Sequence, residues 1–69
     1  MFGILIFNGN RPDVALEDGT LYGGLHCGDC FRYYRNGWID VRLEYNGDEW
    51  MLVCRREHLP IRYGTQVNI

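Results

Sequence analysis

The stretch "CFRYYRNGWIDVRLEYNGDEWMLVC", residues 30 to 54, decides the fold of this chain. It is rich in aromatic and β-branched residues, which favour strands over helices. Two turn signals, Asn36-Gly37 and Asn46-Gly47, divide it into three short segments. No part of it carries the 3.6-residue apolar period of an amphipathic helix. The stretch therefore predicts three antiparallel strands joined by two tight hairpins.

The first hairpin can be assigned a register from its apolar and charged side chains. A two-residue turn at Asn36-Gly37 would place Arg32 opposite Val41 and mix apolar with charged residues on each face. A three-residue loop, residues 35–37 with Gly37 left-handed in a bulge, separates the two faces. The predicted pairs are then Tyr34 with Trp38, Tyr33 with Ile39, Arg32 with Asp40, and Phe31 with Val41. Phe31, Tyr33, Ile39, Val41, Leu43 and Tyr45 point inward, and the residues that point outward are Arg32, Tyr34, Trp38, Asp40, Arg42 and Glu44.

The second hairpin closes over either two residues, 46–47, or four, 46–49. The two loops differ in length by two residues, so the alternation of faces in the next strand is the same for both. Either loop places Trp50, Leu52 and Cys54 on the core side. Met51 and Val53 then lie on the outer face. This strand is therefore apolar on both sides, and its outer face is expected to pack against another part of the protein. The equally two-sided "FGILIF", residues 2–7, is predicted to lie over or beside it. A homodimer through the same surface is the alternative.

The rest of the chain continues the pattern of short β-rich runs between turn residues. Further strands are predicted at "FGILIFN", "DVALE", "TLY" and within "TQVNI", where the last strand covers residues 66–69. Pro60 and the mixed polarity of "RREHLPIRYG" predict a loop or a single helical turn before that last strand. Residues 1–69 therefore form one all-β domain, a small SH3-like barrel of about five to seven short antiparallel strands with at most one helical turn.

Composition narrows the function. Nine acids against seven bases give a net charge near −2, whereas a domain that neutralises nucleic-acid phosphates is normally basic. All seven bases are arginine, the residue suited to forked recognition of carboxylates. No apolar run is long enough to cross a membrane, and an odd number of cysteines, three, fits a reducing compartment. A cytoplasmic protein without a nucleic-acid or membrane partner is expected.

Three segments of the chain resemble a known family. "YGGLHCGDCF", "GWIDVRLEY" and "WMLV" are similar to short uncharacterised SH3-like proteins of Gram-positive bacteria and their mobile elements, which carry a "GGLHCG" turn, a "W-x-x-x-R-I-E" strand and a "W-Y-L-V" strand. The likeness covers residues 22 to 53. The tail "LPIRYGTQVNI" departs from the shorter "L-x-G-L-x-V-R-I" ending of that family. The resemblance implies an SH3-like fold of unknown function and no catalytic residues.

The glycine-rich segment "LYGGLHCGDCF", residues 21–31, raises the question of a metal or redox site. Cys27, Cys30, Cys54 and His58 have the composition of a Cys₃His zinc site. The predicted register opposes this, because it sends Cys30 outward and Cys54 inward. A redox C-x-x-C or an activated cysteine nucleophile would need a helix or a pocket that the pattern does not provide. We interpret the segment as a turn with Leu25 as a plug, and we expect free thiols, no cofactor and no enzyme.

The outward patch of Arg32, Tyr34, Trp38 and Arg42 is the predicted partner-binding site. Aromatic and arginine side chains supply most interface hot spots. The alternative is that Trp38 merely covers the hairpin or is buried by the N-terminal strand. The sequence thus favours a non-enzymatic protein-binding module, a phage or mobile-element accessory protein that docks on a host or phage protein; inhibition of that protein and assistance to it both remain open. The second hypothesis is a zinc-stapled structural or nucleic-acid-binding module.

Overall fold

Seven strands and no helix make up the computed structural model, which describes residues 1–69. The strands are β1 (Phe2–Phe7), β2 (Pro12–Leu16), β3 (Cys30–Tyr34), β4 (Trp38–Tyr45), β5 (Trp50–Cys54), β6 (Glu57–Leu59) and β7 (Gln66–Asn68). The predicted all-β class is confirmed. No helix long and apolar enough to cross a membrane is present.

All seven strands belong to one antiparallel sheet in the order β2-β1-β7-β3-β4-β5-β6. The C-terminal β7 lies between β1 and β3 and so ties both halves of the chain together. No ladder joins β2 to β6, so the sheet is open, and the predicted small all-β barrel is present as a barrel-like fold.

One face of the sheet carries a single core. Because β1 to β5 and β7 all contribute to one apolar cluster, the sheet must curl around it. Leu25, fully buried, comes from the glycine-rich loop and fills the core beside the strands, as expected of a plug. The cluster consists of Leu5, Val14, Leu25, Phe31, Tyr33, Val41, Leu43, Leu52 and Val67.

The central hairpin has the predicted register. All four predicted pairs are present, including Arg32 opposite Asp40, whose Nε and Oδ1 atoms lie 3.4 Å apart. The three-residue loop has positive φ at Asn36 (54°) and at Gly37 (128°), and the N–H of Arg35 donates to the carbonyl of Gly37 at 2.8 Å. The alternation of apolar and charged residues was therefore sufficient to set this register.

The second hairpin uses the longer of its two loops. Tyr45 pairs with Trp50, so residues 46–49 form the turn, and the Asn46 side chain accepts hydrogen bonds from the N–H groups of Asp48 and Glu49. Leu52 is buried as predicted, while Trp50 packs against the core from its margin. Tyr45 was predicted to face inward and is instead 44% exposed, because it lies at the end of β4 and stacks on Trp50 at 4.6 Å.

Three other expectations are corrected. Residues 57–59 form β6, paired with β5, where a helical turn was considered. The N-terminal β1 pairs with β2 and β7 and does not lie over or beside β5, from which β7, β3 and β4 separate it. "TLY" contributes only one bridge, between Ala15 and Leu21. The apolar segments β1 and "TLY" fit several positions in a sheet, and tertiary pairing selects among them. Residues 57–59 are mostly polar, and the neighbouring Pro60 favoured a loop or a helical turn there.

The edge of β2 is closed by the chain that follows it. The N–H groups of Tyr22 and Leu25 donate to carbonyls of Val14 and Pro12, each at 2.9 Å. Asp13, fully buried in β2, accepts hydrogen bonds on one carboxylate oxygen from the N–H groups of Val14, Gly23 and Gly24 at 2.8–3.0 Å. Burial alone raises the pKa of Asp13, but these backbone donors outweigh it and hold the pKa below its usual value.

Candidate functional site

Trp38 is at the centre of an exposed aromatic cluster on the outer face of the sheet. Its ring lies 5.4 Å from that of Tyr34 on the same hairpin and 5.7 Å from that of Phe2 on β1. The three side chains, which we call the aromatic cluster, remain 40%, 47% and 53% exposed for Trp38, Tyr34 and Phe2 respectively. Such distances and tilted rings are typical of favourable aromatic pairs. The cluster is therefore held in place by its own contacts while much of its area faces solvent.

Both alternatives considered for Trp38 are present in part. Trp38 does cover the hairpin through Tyr34, and it does contact the N-terminal strand through Phe2. Neither contact buries it. Beside it, a groove of about 390 Å³ runs between Trp38, Phe2 and Ile4 of β1 and Leu16 of β2. The outer face thus offers an apolar groove with an aromatic wall.

Arginines flank the aromatic cluster along β3 and β4. Arg32 pairs with Asp40 at 3.4 Å and Arg42 with Glu44 at 3.2 Å, the second through Nε and Oε2. Both pairs are solvent-exposed, so each contributes little to the stability of the fold. Arg32 and Arg42 also line a second groove, of about 650 Å³. The four residues predicted for partner binding, Arg32, Tyr34, Trp38 and Arg42, all lie on this one face.

Glu44 links the face to the glycine-rich segment. The Cys27 thiol donates a hydrogen bond to Glu44 Oε1 at 3.1 Å, and together with the nearby Arg42 and His58 it lowers the pKa of Glu44. Glu44 is therefore ionised at neutral pH, and its two oxygens accept hydrogen bonds from different partners, Oε1 from Cys27 and Oε2 from Arg42.

The residues of the zinc hypothesis are not brought together. Cys27 points at Glu44, and the Cys30 thiol faces the carbonyl of Gly28 at 3.7 Å. Cys54 packs against the core, and His58 lies on β6 opposite Val53. No group of three or more His, Cys, Asp or Glu side chains is placed to hold a metal ion. The geometry thus does not support a Cys₃His site, because its four members lie on different faces.

Two contributors to this face were missed from the sequence. Phe2 completes the aromatic cluster, which the two-sided apolar pattern of β1 did not reveal. Arg55 lines the 650 Å³ groove from the tight turn between β5 and β6, where it has φ of 60°. An arginine pair in a two-residue turn, where glycine or asparagine is preferred, was the available signal for Arg55.

Comparison with known proteins identifies relatives but no activity. A solved structure of a protein from Ruminococcus gnavus is 33% identical, matches 100% of both chains and superposes with a TM-score of 0.82. A search of the curated proteins finds no match. A family described as a domain of unknown function, DUF5348, matches residues 3–69, which is nearly the whole chain. The chain therefore belongs to the DUF5348 family, an uncharacterised family whose fold is the small all-β domain described above.

Proposed function

We propose that this protein is a non-enzymatic protein-binding module that docks through the outer face of β3 and β4. The observation that carries the proposal is the exposure of Trp38 at the centre of the aromatic cluster, with Arg32 and Arg42 on the same face. Tryptophan, tyrosine and arginine are the residues that most often supply the binding energy of protein interfaces. A tryptophan that the fold does not need to bury is best explained by a partner that covers it.

The side chains of the aromatic cluster would lose little conformational entropy when a partner binds. Trp38 is already braced by Tyr34 and Phe2, so its ring has less freedom to lose when a partner covers it. The apolar groove beside Trp38 can accept an aliphatic or aromatic side chain of about the size of leucine or phenylalanine. Arg32 and Arg42 add charged donors at the margin, as expected for a polar rim.

The partner in this proposal is a protein of the host cell or of a phage, and binding inhibits it. The support for this finer statement is the resemblance of the "GGLHCG", "W-x-x-x-R" and "W-x-L-V" elements to proteins of mobile elements, whose short products often act by docking. A chain with only 69 residues and an exposed aromatic face has room for one docking surface rather than for an enclosed active site.

Affinity capture from a lysate of the native cells tests the proposal. Trp38→Ala with Arg42→Glu should abolish the capture of a partner identified by mass spectrometry. The matched control is Tyr63→Ala with Arg62→Glu, which removes one aromatic ring of similar exposure and one arginine outside both grooves. The control should capture the partner as the wild type does.

Folding must be separated from binding in this experiment. Trp38→Ala loses two aromatic contacts, so we expect its free energy of unfolding to fall by about 1–2 kcal/mol, and each variant is first shown to be folded by its NMR spectrum. Arg42→Glu alone should weaken capture and lower the free energy of unfolding by only about 1 kcal/mol or less, since it replaces an exposed ion pair with a like charge beside Glu44. Undiminished capture by the double variant would remove the proposal.

A further inference from the structure

Positive charge is concentrated on the outer face of β3, β4 and β5, although the chain as a whole is acidic. Three arginines, Arg32, Arg42 and Arg55, line the 650 Å³ groove, in which Asp40 is the only acid. An adjoining groove of about 420 Å³ shares Arg42 and Arg55 and adds Arg56 and His58, with Glu44 as its only acid. The other seven acids lie outside both grooves, at positions 13, 17, 18, 29, 48, 49 and 57.

The guanidinium groups in these grooves retain free donors. The hydrogen bond of Arg42 to Glu44 uses Nε, and the contact of Arg32 with Asp40 also uses Nε. Arg55 forms no ion pair and no side-chain hydrogen bond. The terminal nitrogens of three arginines are thus available in one groove to form paired hydrogen bonds with carboxylates.

The backbone at Arg55 supports a role for its side chain. Cys54 pairs with Glu57, so Arg55 and Arg56 are the two residues of a tight turn, and Arg55 has φ of 60°. Glycine, asparagine or aspartate normally occupies such a position, because other residues are strained there. Arg55 is strained at this position, and its side chain forms no ion pair or hydrogen bond that would offset the strain. Such uncompensated backbone strain is typical of functional positions.

We infer that this arginine groove binds a peptide segment of the partner that carries two or more carboxylates beside an aliphatic side chain. The inference rests on the proposed function and names the chemistry of its ligand. Aliphatic contact is supplied by Val53, a half-buried residue on the outer face of β5. Asp40 and Glu44 interrupt the row of arginines, so the grooves offer separate positions for individual carboxylates rather than the continuous positive charge that a phosphodiester backbone requires.

A synthetic peptide of alternating glutamate and valine tests this by NMR titration, with the glutamine-valine peptide and an oligothymidylate as comparison probes. The glutamate peptide should shift the amide and Nε–H signals of Arg42 and Arg55, and its binding should weaken as salt is raised. Arg42→Gln with Arg55→Gln should weaken binding about tenfold or more. The matched control, Arg35→Gln with Arg62→Gln, removes the same charge outside both grooves and should change binding less than about twofold.

The inference is overturned if the glutamine peptide binds as well, if the oligothymidylate binds more tightly, or if the control double variant loses as much affinity. It is also overturned if light scattering shows a dimer that Arg42→Gln with Arg55→Gln dissociates, because the groove would then hold a second copy. Its failure differs from failure of the proposed function. If only the inference fails, changing Trp38 and Arg42 still abolishes capture of the lysate partner, whereas Arg55→Gln leaves capture unchanged. If the proposed function fails, no substitution on this face affects capture.

Discussion

The carboxylate of Asp13 accepts a hydrogen bond from the backbone N–H of Gly24 at 2.8 Å, across 11 positions of the chain. The same oxygen also binds the N–H groups of Val14 and Gly23. These contacts fasten the glycine-rich loop along the edge of β2, where Leu25 turns into the core. The loop that Asp13 holds in place thus covers the edge of β2 at one end of the open sheet, and this edge is not free to pair with other chains.

Removal of this carboxylate should destabilise the fold. Asp13→Ala leaves three backbone N–H groups without their acceptor, and we expect the free energy of unfolding to fall by about 2–3 kcal/mol in urea denaturation. Asp13→Asn keeps an acceptor oxygen and should lose about 1 kcal/mol. Equal stability of wild type and Asp13→Ala would show that the loop does not depend on this acid.

The same residue should make stability depend on pH. The pKa of Asp13 is lower in the folded protein than its usual 3.8, so its contribution is complete above the unfolded pKa and is lost as the pH falls through the folded value. The unfolding free energy of the wild type should therefore approach that of Asp13→Asn as the pH is lowered below about 4. A difference between the two proteins that stays constant from pH 7 to acid would contradict the lowered pKa.

Gly3 should not tolerate a side chain. A Cβ at this position would lie 2.5 Å from Cγ1 of Val14 and 2.6 Å from the carbonyl oxygen of Ala15, both on the neighbouring β2. We expect Gly3→Ala to cost about 2 kcal/mol through overpacking. Gly9→Ala is the control, since its Cβ would meet no atom and only its φ of 82° is unfavourable, at about 1 kcal/mol. A smaller loss for Gly3→Ala than for Gly9→Ala would be inconsistent with this packing.

The cysteines should behave as independent thiols. Cys27 and Cys30 are exposed, whereas Cys54 is half-buried against the core. A thiol-specific chromogenic reagent should therefore react quickly with two groups and slowly with the third, and all three should react quickly in denaturant. Addition of a chelator should leave the melting temperature unchanged. Stoichiometric zinc in the purified protein, lost together with the fold, would restore the metal hypothesis.

The hairpin register could be predicted because its two faces differ in chemistry. Only one pairing put Phe31 and Val41 together and left Arg32 beside Asp40, so alternation alone excluded the other register. The exposed position of Trp38 follows from the same parity. For this reason the outward patch of the candidate site was available from the sequence.

Other features depended on tertiary contacts that alternation does not encode. The apolar pattern of β1 is compatible with pairing beside several other strands. Its position beside β7, which brings Phe2 into contact with Trp38, depends on the order of all strands in the sheet. The role of Asp13 could not be predicted from the sequence, since its partners Gly23 and Gly24 lie in a loop whose path the sequence does not specify. The Arg55 turn was obscured by Pro60, which favoured a loop or a helical turn over the short β6.

The most direct test of the docking surface is site-specific photocross-linking. Benzoylphenylalanine is placed at Tyr34, in the aromatic cluster, or at Tyr63, which packs edge-on against Phe7 away from it; the two tyrosines are 47% and 43% exposed. Illumination in native cell lysate should cross-link a partner protein to the Tyr34 position, and not to Tyr63, and Arg42→Glu should reduce that product. Equal cross-linking from both positions, or cross-linking from Tyr63 alone, would contradict binding through the outer face of β3 and β4.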